Sequence, residues 1–130
     1  MGVLLMLHSI VRWIIVVLGL IAIVKFLVGM TRKGEFDKMD RGLSAGFSGL
    51  IDLQVMLGLL YFFITGFGGV GFPFFRIEHM VTMLVAAAVA HAPSMFKNAA
   101  NKYAVAFYSV LGTMILIVIG VSFLPGGWSR

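Results

Sequence analysis

The chain has 130 residues, of which 61% are hydrophobic and 12% charged; soluble domains run at ~45–50% apolar, so a soluble enzyme with a polar surface is excluded. The net charge of +5 does not point to nucleic acid, because five of the ten basic residues fall in or beside one loop, which is the pattern of a membrane surface. Cysteine is absent, which excludes a disulfide, a thiolate nucleophile and covalent haem attachment through C-x-x-C-H.

The apolar runs predict one domain over 1–130, an all-α membrane protein built as an up-down bundle of four transmembrane helices near 4–30, 43–65, 74–96 and 103–124. The first segment holds His8, Arg12 and Trp13 near its start and Lys25 near its end. It lacks a basic leader and a cleavage pattern, so it reads as a retained helix rather than a signal peptide. His8 and Arg12 are one turn apart on one face, and Lys25 is expected to snorkel to the interface. Residues 31–41 concentrate the charge (Arg32, Lys33, Glu35, Asp37, Lys38, Asp40 and Arg41) and read as a loop.

The second segment carries Ser44, Ser48, Asp52 and Gln54, with Asp52 ~13 Å from the starting interface. Gln54, Gly58 and Tyr61 follow at helical spacing. Residues 66–73, Gly-Phe-Gly-Gly-Val-Gly-Phe-Pro, are a turn. The third segment opens Arg76-Ile77-Glu78-His79 and reaches His91, with the two histidines ~18 Å apart along one rod. Pro93 should kink or stop that helix just past His91. The fourth segment is ended by Pro125, Gly126 and Gly127, with Trp128 at the interface. Lysine and arginine in the loops place both termini outside, with two cytoplasmic loops.

Ionisable residues inside spanning segments are functional candidates. In this topology His8 and His79 lie at similar depth on helices running the same way. Two neutral imidazoles so placed are one way to hold a haem iron axially within a bundle. Arg12 and Arg76, each one turn from a histidine, suit haem propionates through bidentate, charge-assisted hydrogen bonds. Glu78 would orient a histidine or carry a proton. His91 has no second histidine to pair with; Asp52, Gln54 and Ser48 are its nearest polar candidates, for a proton-handling or quinone site or a second haem. The competing reading makes each histidine an interhelical hydrogen-bonding residue. Ala86, Ala87, Ala88 and Ala90 remove bulk, so that a flat ring or another helix can approach. Three histidines without cysteine argue against structural zinc; no phosphate loop, HExxH or nucleophile elbow is present.

Taken together, His8-Ser9-x-x-Arg12-Trp13, Asp52-x-Gln54 with Gly58, Arg76-Ile77-Glu78-His79 and His91 resemble small bacterial four-helix membrane proteins labelled cytochrome b or cytochrome b-like. The resemblance covers most of the chain. It implies haem b, electron transfer beside a quinone pool, and a bacterial inner membrane. Cytochrome b bundles with two haems carry four histidines and this chain has three, so one haem is expected, with quinone a further candidate. The functional expectation favours an electron-transfer subunit, working between a quinol and a partner redox complex, over a stand-alone enzyme, and leaves open whether the chain is an enzyme in its own right. Its partners would be the lipid bilayer and other redox subunits or further copies of the chain. Two alternatives remain: a cofactor-free accessory subunit of a respiratory or photosynthetic complex, and a proton-conducting or transport protein using Asp52 and His91.

Overall fold

A computed structural model describes residues 2–32, 35–96 and 100–129, and within these the chain is all helix, turn and loop, without a strand. Lys33, Lys97 and Arg130, which also entered the orientation argument, lie outside the described residues. Helix α1 spans Gly2–Arg32, 31 residues without a proline. At ~1.5 Å per residue it is long enough to cross a ~30 Å hydrocarbon core. Helix α2 spans Lys38–Thr65, and its first turn includes charged residues expected to lie in a loop. The cause is a reciprocal cap: the Asp37 carboxylate accepts from the Asp40 amide at 3.0 Å, and the Asp40 carboxylate accepts from the Asp37 amide at 3.2 Å. Two of the orphan donors at the helix start are thereby satisfied. Asp52 consequently sits fourteen residues into α2, ~21 Å from its start, deeper than the sequence suggested.

The polypeptide leaves α2 through one wide turn, Gly66–Val70. Gly69 and Gly71 take φ of 120° and 76°, values that only glycine adopts readily. Helix α3 spans Phe74–Ala90 and stops at His91 (φ −89°, ψ 1°). Pro93 lacks an N–H and crowds the preceding turn; the chain resumes only as one turn, α4, Ala92–Met95. Helix α5 spans Lys102–Ser122. Its N-cap Asn101 accepts from the Ala104 amide at 3.0 Å.

Three helical stretches are long and apolar enough to cross a membrane: Gly2–Arg32, Lys38–Val70 and Lys102–Ser122. The expected fourth is shorter, because α3 has 17 residues where 74–96 was anticipated. The outward faces are apolar too, with Ile10, Ile14, Val17, Ile21 and Val24 of α1 exposed. A helix hydrophobic on all sides suits lipid rather than water.

Helix α1 packs against α2 and α5, and α3 packs against the same two, so α1 and α3 are diagonal partners across a four-cornered bundle. Phe26, Phe47, Ile51, Ala106, Val110, Ile117 and Val121 are in the buried core. The closest seam is α3 on α5: Ser109 donates to the Val89 carbonyl at 2.7 Å and Thr113 to the Ala86 carbonyl at 3.4 Å. Ala86 and Ala90 are buried, so the bulk missing from that side of α3 admits another helix.

Lys25 does not snorkel away. It pairs with Asp40, whose side chain is fully buried, and the Tyr103 hydroxyl bonds the same carboxylate and the Glu35 carbonyl. This network ties the end of α1 to the starts of α2 and α5.

Candidate functional site

At the opposite end of the bundle the diagonal helices bring His8 and His79 together. Their ring centroids are 6.5 Å apart and the planes are inclined at 61°. Each imidazole is oriented by its neighbours. The His79 Nδ1–H donates to the Gly120 carbonyl of α5 at 2.8 Å, and a carbonyl can only accept. In the neutral ring this fixes Nε2 as the atom with the lone pair. Gln54 of α2 donates from Nε2 to the His8 carbonyl at 2.8 Å and lies 3.3 Å from His8 Nδ1. Gln54 is nine-tenths buried, and its Oε1 has no hydrogen-bond partner among the described residues. Such an orphan is costly at ~1–3 kcal/mol.

The histidines line a cavity of about 170 Å³ in a cleft whose atom-free space, counting its open mouth, is about 1270 Å³. Its walls are largely apolar: Leu5, Ile51, Phe62, Met80, Met83 and Ile117. Ser9, Tyr61, Arg12 and Arg76 complete it. Gly58 keeps it open beside His8, because a Cβ there would stand 3.3 Å from His8 Nε2 and 3.9 Å from Met80 Cε.

The two arginines are buried and held differently. The Arg12 guanidinium sits 5.5 Å from the rings of both Trp13 and Trp128 and donates to the Trp128 carbonyl at 3.3 Å. Trp128, expected at the interface, folds back against Trp13, with ring centroids 5.6 Å apart, so that the guanidinium lies within cation–π range of both rings. Arg76 donates to the carbonyls of Gly71 and Phe62 and to the Thr65 hydroxyl, the last at 2.6 Å. It thus caps the end of α2 and pins the following turn. These three acceptors occupy much of the fork that was expected to serve a propionate. Glu78 is half-buried, with no side-chain hydrogen bond or ion pair among the described residues.

Asp52 and His91 meet elsewhere, across α2 and the end of α3, with His91 Nε2 at 2.8 and 2.9 Å from the two carboxylate oxygens. Their side chains are 53% and 40% exposed, so the pair lies on the outer surface of the bundle. Gln54, grouped with them in the sequence, belongs to the His8 cavity instead. A spacing of two positions from Asp52 turns it ~200° around the helix.

The sequence reading missed the Gly120 carbonyl and the Thr65 hydroxyl as partners. Neither carries a side-chain signal in its own segment, and each is found only once the helices are paired. Among the described residues no three of His, Cys, Asp and Glu come together as a metal site. A metal held by His8 and His79 must therefore bring most of its ligands with it. Comparisons of the chain with protein-family models, curated proteins and solved structures give no match in any of the three.

Proposed function

We propose that this chain is a bacterial inner-membrane electron-transfer protein that holds one haem b between His8 and His79. In that role it works between a quinol and a partner redox subunit. The observation carrying this reading is the diagonal imidazole pair at 6.5 Å. Two imidazoles coordinating one metal from opposite sides, through bonds of ~2 Å, have ring centres roughly 6 Å apart. His79 already has the hydrogen bond expected of a ligating histidine, Nδ1–H to a backbone carbonyl. His8 needs the same tautomer; Gln54, whose Nε2 donates to the His8 carbonyl, holds the backbone that carries the ring. The interior of 170 Å³ is below the ~300–1,000 Å³ of ordinary ligand sites, so a macrocycle must extend into the mouth of the cleft. Arg12 is the better placed of the two arginines for a propionate, Arg76 being tied to α2.

When bound, the haem supplies a one-electron iron couple. The chain's own part is to fix both imidazoles, to keep water out with the apolar wall, and to lower the dielectric around the iron. The reading includes four spans, with α3 at the lower end of the ~17–25 residues a spanning helix needs. It also places the basic loops inside and both termini outside. The test is a reduced-minus-oxidised visible spectrum with a haemochrome count on purified protein. A b-type α-band at about one haem per chain, lost in both His8→Ala and His79→Ala, is expected. A flat spectrum from cells supplied with haem overturns the proposal.

A second reading has its own observation. The Asp52–His91 pair places a carboxylate and an imidazole in hydrogen-bond contact halfway along α2, an arrangement able to pass a proton. Proton flux into vesicles containing the protein, compared with Asp52→Asn, tests it separately from haem.

A further inference from the structure

A second cavity, of about 410 Å³, opens at the other end of the bundle, between α2, the break at His91 and the start of α5. Its polar lining is one-sided. Arg41 and Lys102 supply two cations, and neither pairs with a carboxylate among the described residues. Ser44, Ser48 and Ser94 supply hydroxyls. Ser48 and Ser94 donate back to their own helical turns, at 3.1 and 2.9 Å. Ser44 does not. It is 8% exposed, lines the cavity, and its hydroxyl has no hydrogen-bond partner among the described residues. The Ser44 oxygen is not sealed from the surroundings, so its hydroxyl is available to donate to an acceptor that enters the cavity. The remaining walls, Phe36, Ala90 and Val105 among them, are apolar.

Two cations, an available hydroxyl and no acid in the lining suit an anion rich in oxygen acceptors, of which phosphate is one. The apolar walls and the volume specify something larger than a free ion. We propose that this cavity binds the phosphate headgroup of an anionic lipid, with Arg41 and Lys102 on the phosphate, Ser44 donating to it, and the lipid's apolar part against Phe36 and Val105. Basic pockets between helices at the interface are where such headgroups are held. The inference needs the bilayer setting and is independent of the haem, because no residue is shared between the two cavities.

Native mass spectrometry of the delipidated full-length protein in mild detergent provides the test, with phosphatidylglycerol, phosphatidylcholine and inorganic phosphate as probes. Phosphatidylglycerol is expected to bind in preference to phosphatidylcholine. That preference should fall about 30-fold in the double variant Arg41→Gln/Lys102→Gln, the equivalent of two basic residues at a membrane surface. Val105→Phe fills the cavity and leaves both charges in place, so it should lose the lipid while keeping its thermal unfolding midpoint. Equal retention of the two lipids, or wild-type retention in Val105→Phe, overturns the proposal. Displacement of phosphatidylglycerol by millimolar inorganic phosphate would make the site one for the free ion and likewise overturn the lipid assignment. The haem spectrum of all these variants should match wild type, which keeps this test separate from that of the electron-transfer reading.

Discussion

The two ends of the bundle handle buried polar groups in opposite ways. Where α1 ends and α2 and α5 begin, the Asp40 carboxylate is bonded by the Lys25 ammonium, the Tyr103 hydroxyl and the Asp37 amide. It has no exposed surface, and around it Phe26, Phe36 and Tyr103 are in ring contact. At the His8 end the Gln54 Oε1 acceptor is unpartnered among the described residues and Gln54 lines a cavity. Both ends lie in the same apolar bundle, so both bear the same penalty for an unmatched polar atom. The Asp40 network closes on itself and anchors three helices, although a separate cavity opens beside it; the Gln54 network is left incomplete on the cavity proposed for the haem. Local rules are broken where function is housed.

The largest effect expected from breaking this contrast is at the closed end. Asp40→Ala removes the partner of a buried ion pair together with half of a capping box, which costs ~3–5 kcal/mol when the remaining charge is trapped. The Lys25 side chain retains 34% exposure and can partly escape, so the lower figure applies. Equilibrium unfolding in mild detergent measures it, and the folded fraction should keep its haem spectrum. At the open end Gln54→Leu should do the reverse. Its stability should stay near wild type, while haem affinity falls ~10–100-fold, the usual cost of losing a partner that orients a metal-ligating histidine. Haem titration of the apoprotein reads this. If Asp40→Ala instead lost haem and Gln54→Leu lost stability, the division of labour would be wrong.

A finer comparison comes from Gly58. Alanine is favoured over glycine inside a helix by ~1 kcal/mol, so Gly58→Ala should raise the unfolding midpoint or leave it unchanged. The new Cβ, 3.3 Å from His8 Nε2, should displace that ring and lower haem occupancy. Opposite signs for stability and loading in one variant distinguish a ligand cavity from a packing defect. A drop in both would assign Gly58 to packing.

Much of this organisation was legible in the sequence, and the limits have physical causes. Apolar runs of twenty or more residues announce helices because a bilayer demands that length, and Pro93 announced the end of α3. Equal depth on parallel helices was enough to bring His8 and His79 together. What one chain's periodicity cannot encode is which helix face meets which. For that reason Gln54 moved from the Asp52 group to His8, and Ala86 and Ala90 proved to face α5. The charged stretch misled for a different reason. Asp37 and Asp40 look solvated one at a time, but three residues apart they cap a helix, and Asp40 then lies within reach of Lys25 and Tyr103. The arginines were read as anion binders because the sequence does not display which acceptors of the chain face them, and Arg76 bonds the Phe62 carbonyl and Thr65 hydroxyl at the end of α2 and the Gly71 carbonyl beyond the turn.

The smallest expected effect concerns the pair on the outer surface. Asp52 and His91 are in direct hydrogen-bond contact, yet both side chains are about half exposed. Pairs of that exposure contribute ~0–1 kcal/mol in an aqueous setting. In detergent, where water reaches the helix surface, Asp52→Asn should therefore shift stability by no more than ~1 kcal/mol, and the shift should shrink as salt is raised. In a bilayer the same pair faces a medium that neither screens nor solvates it, so each group depends on contact with the other. Asn can replace the hydrogen bond but cannot exchange a proton. Stability measured in detergent and again in vesicles separates these terms. A substantially larger loss in vesicles would mean that the pair is held by the membrane setting and that its carboxyl, not merely its shape, is used there. Equal small losses in both would leave Asp52 and His91 as a surface contact with no part in moving protons.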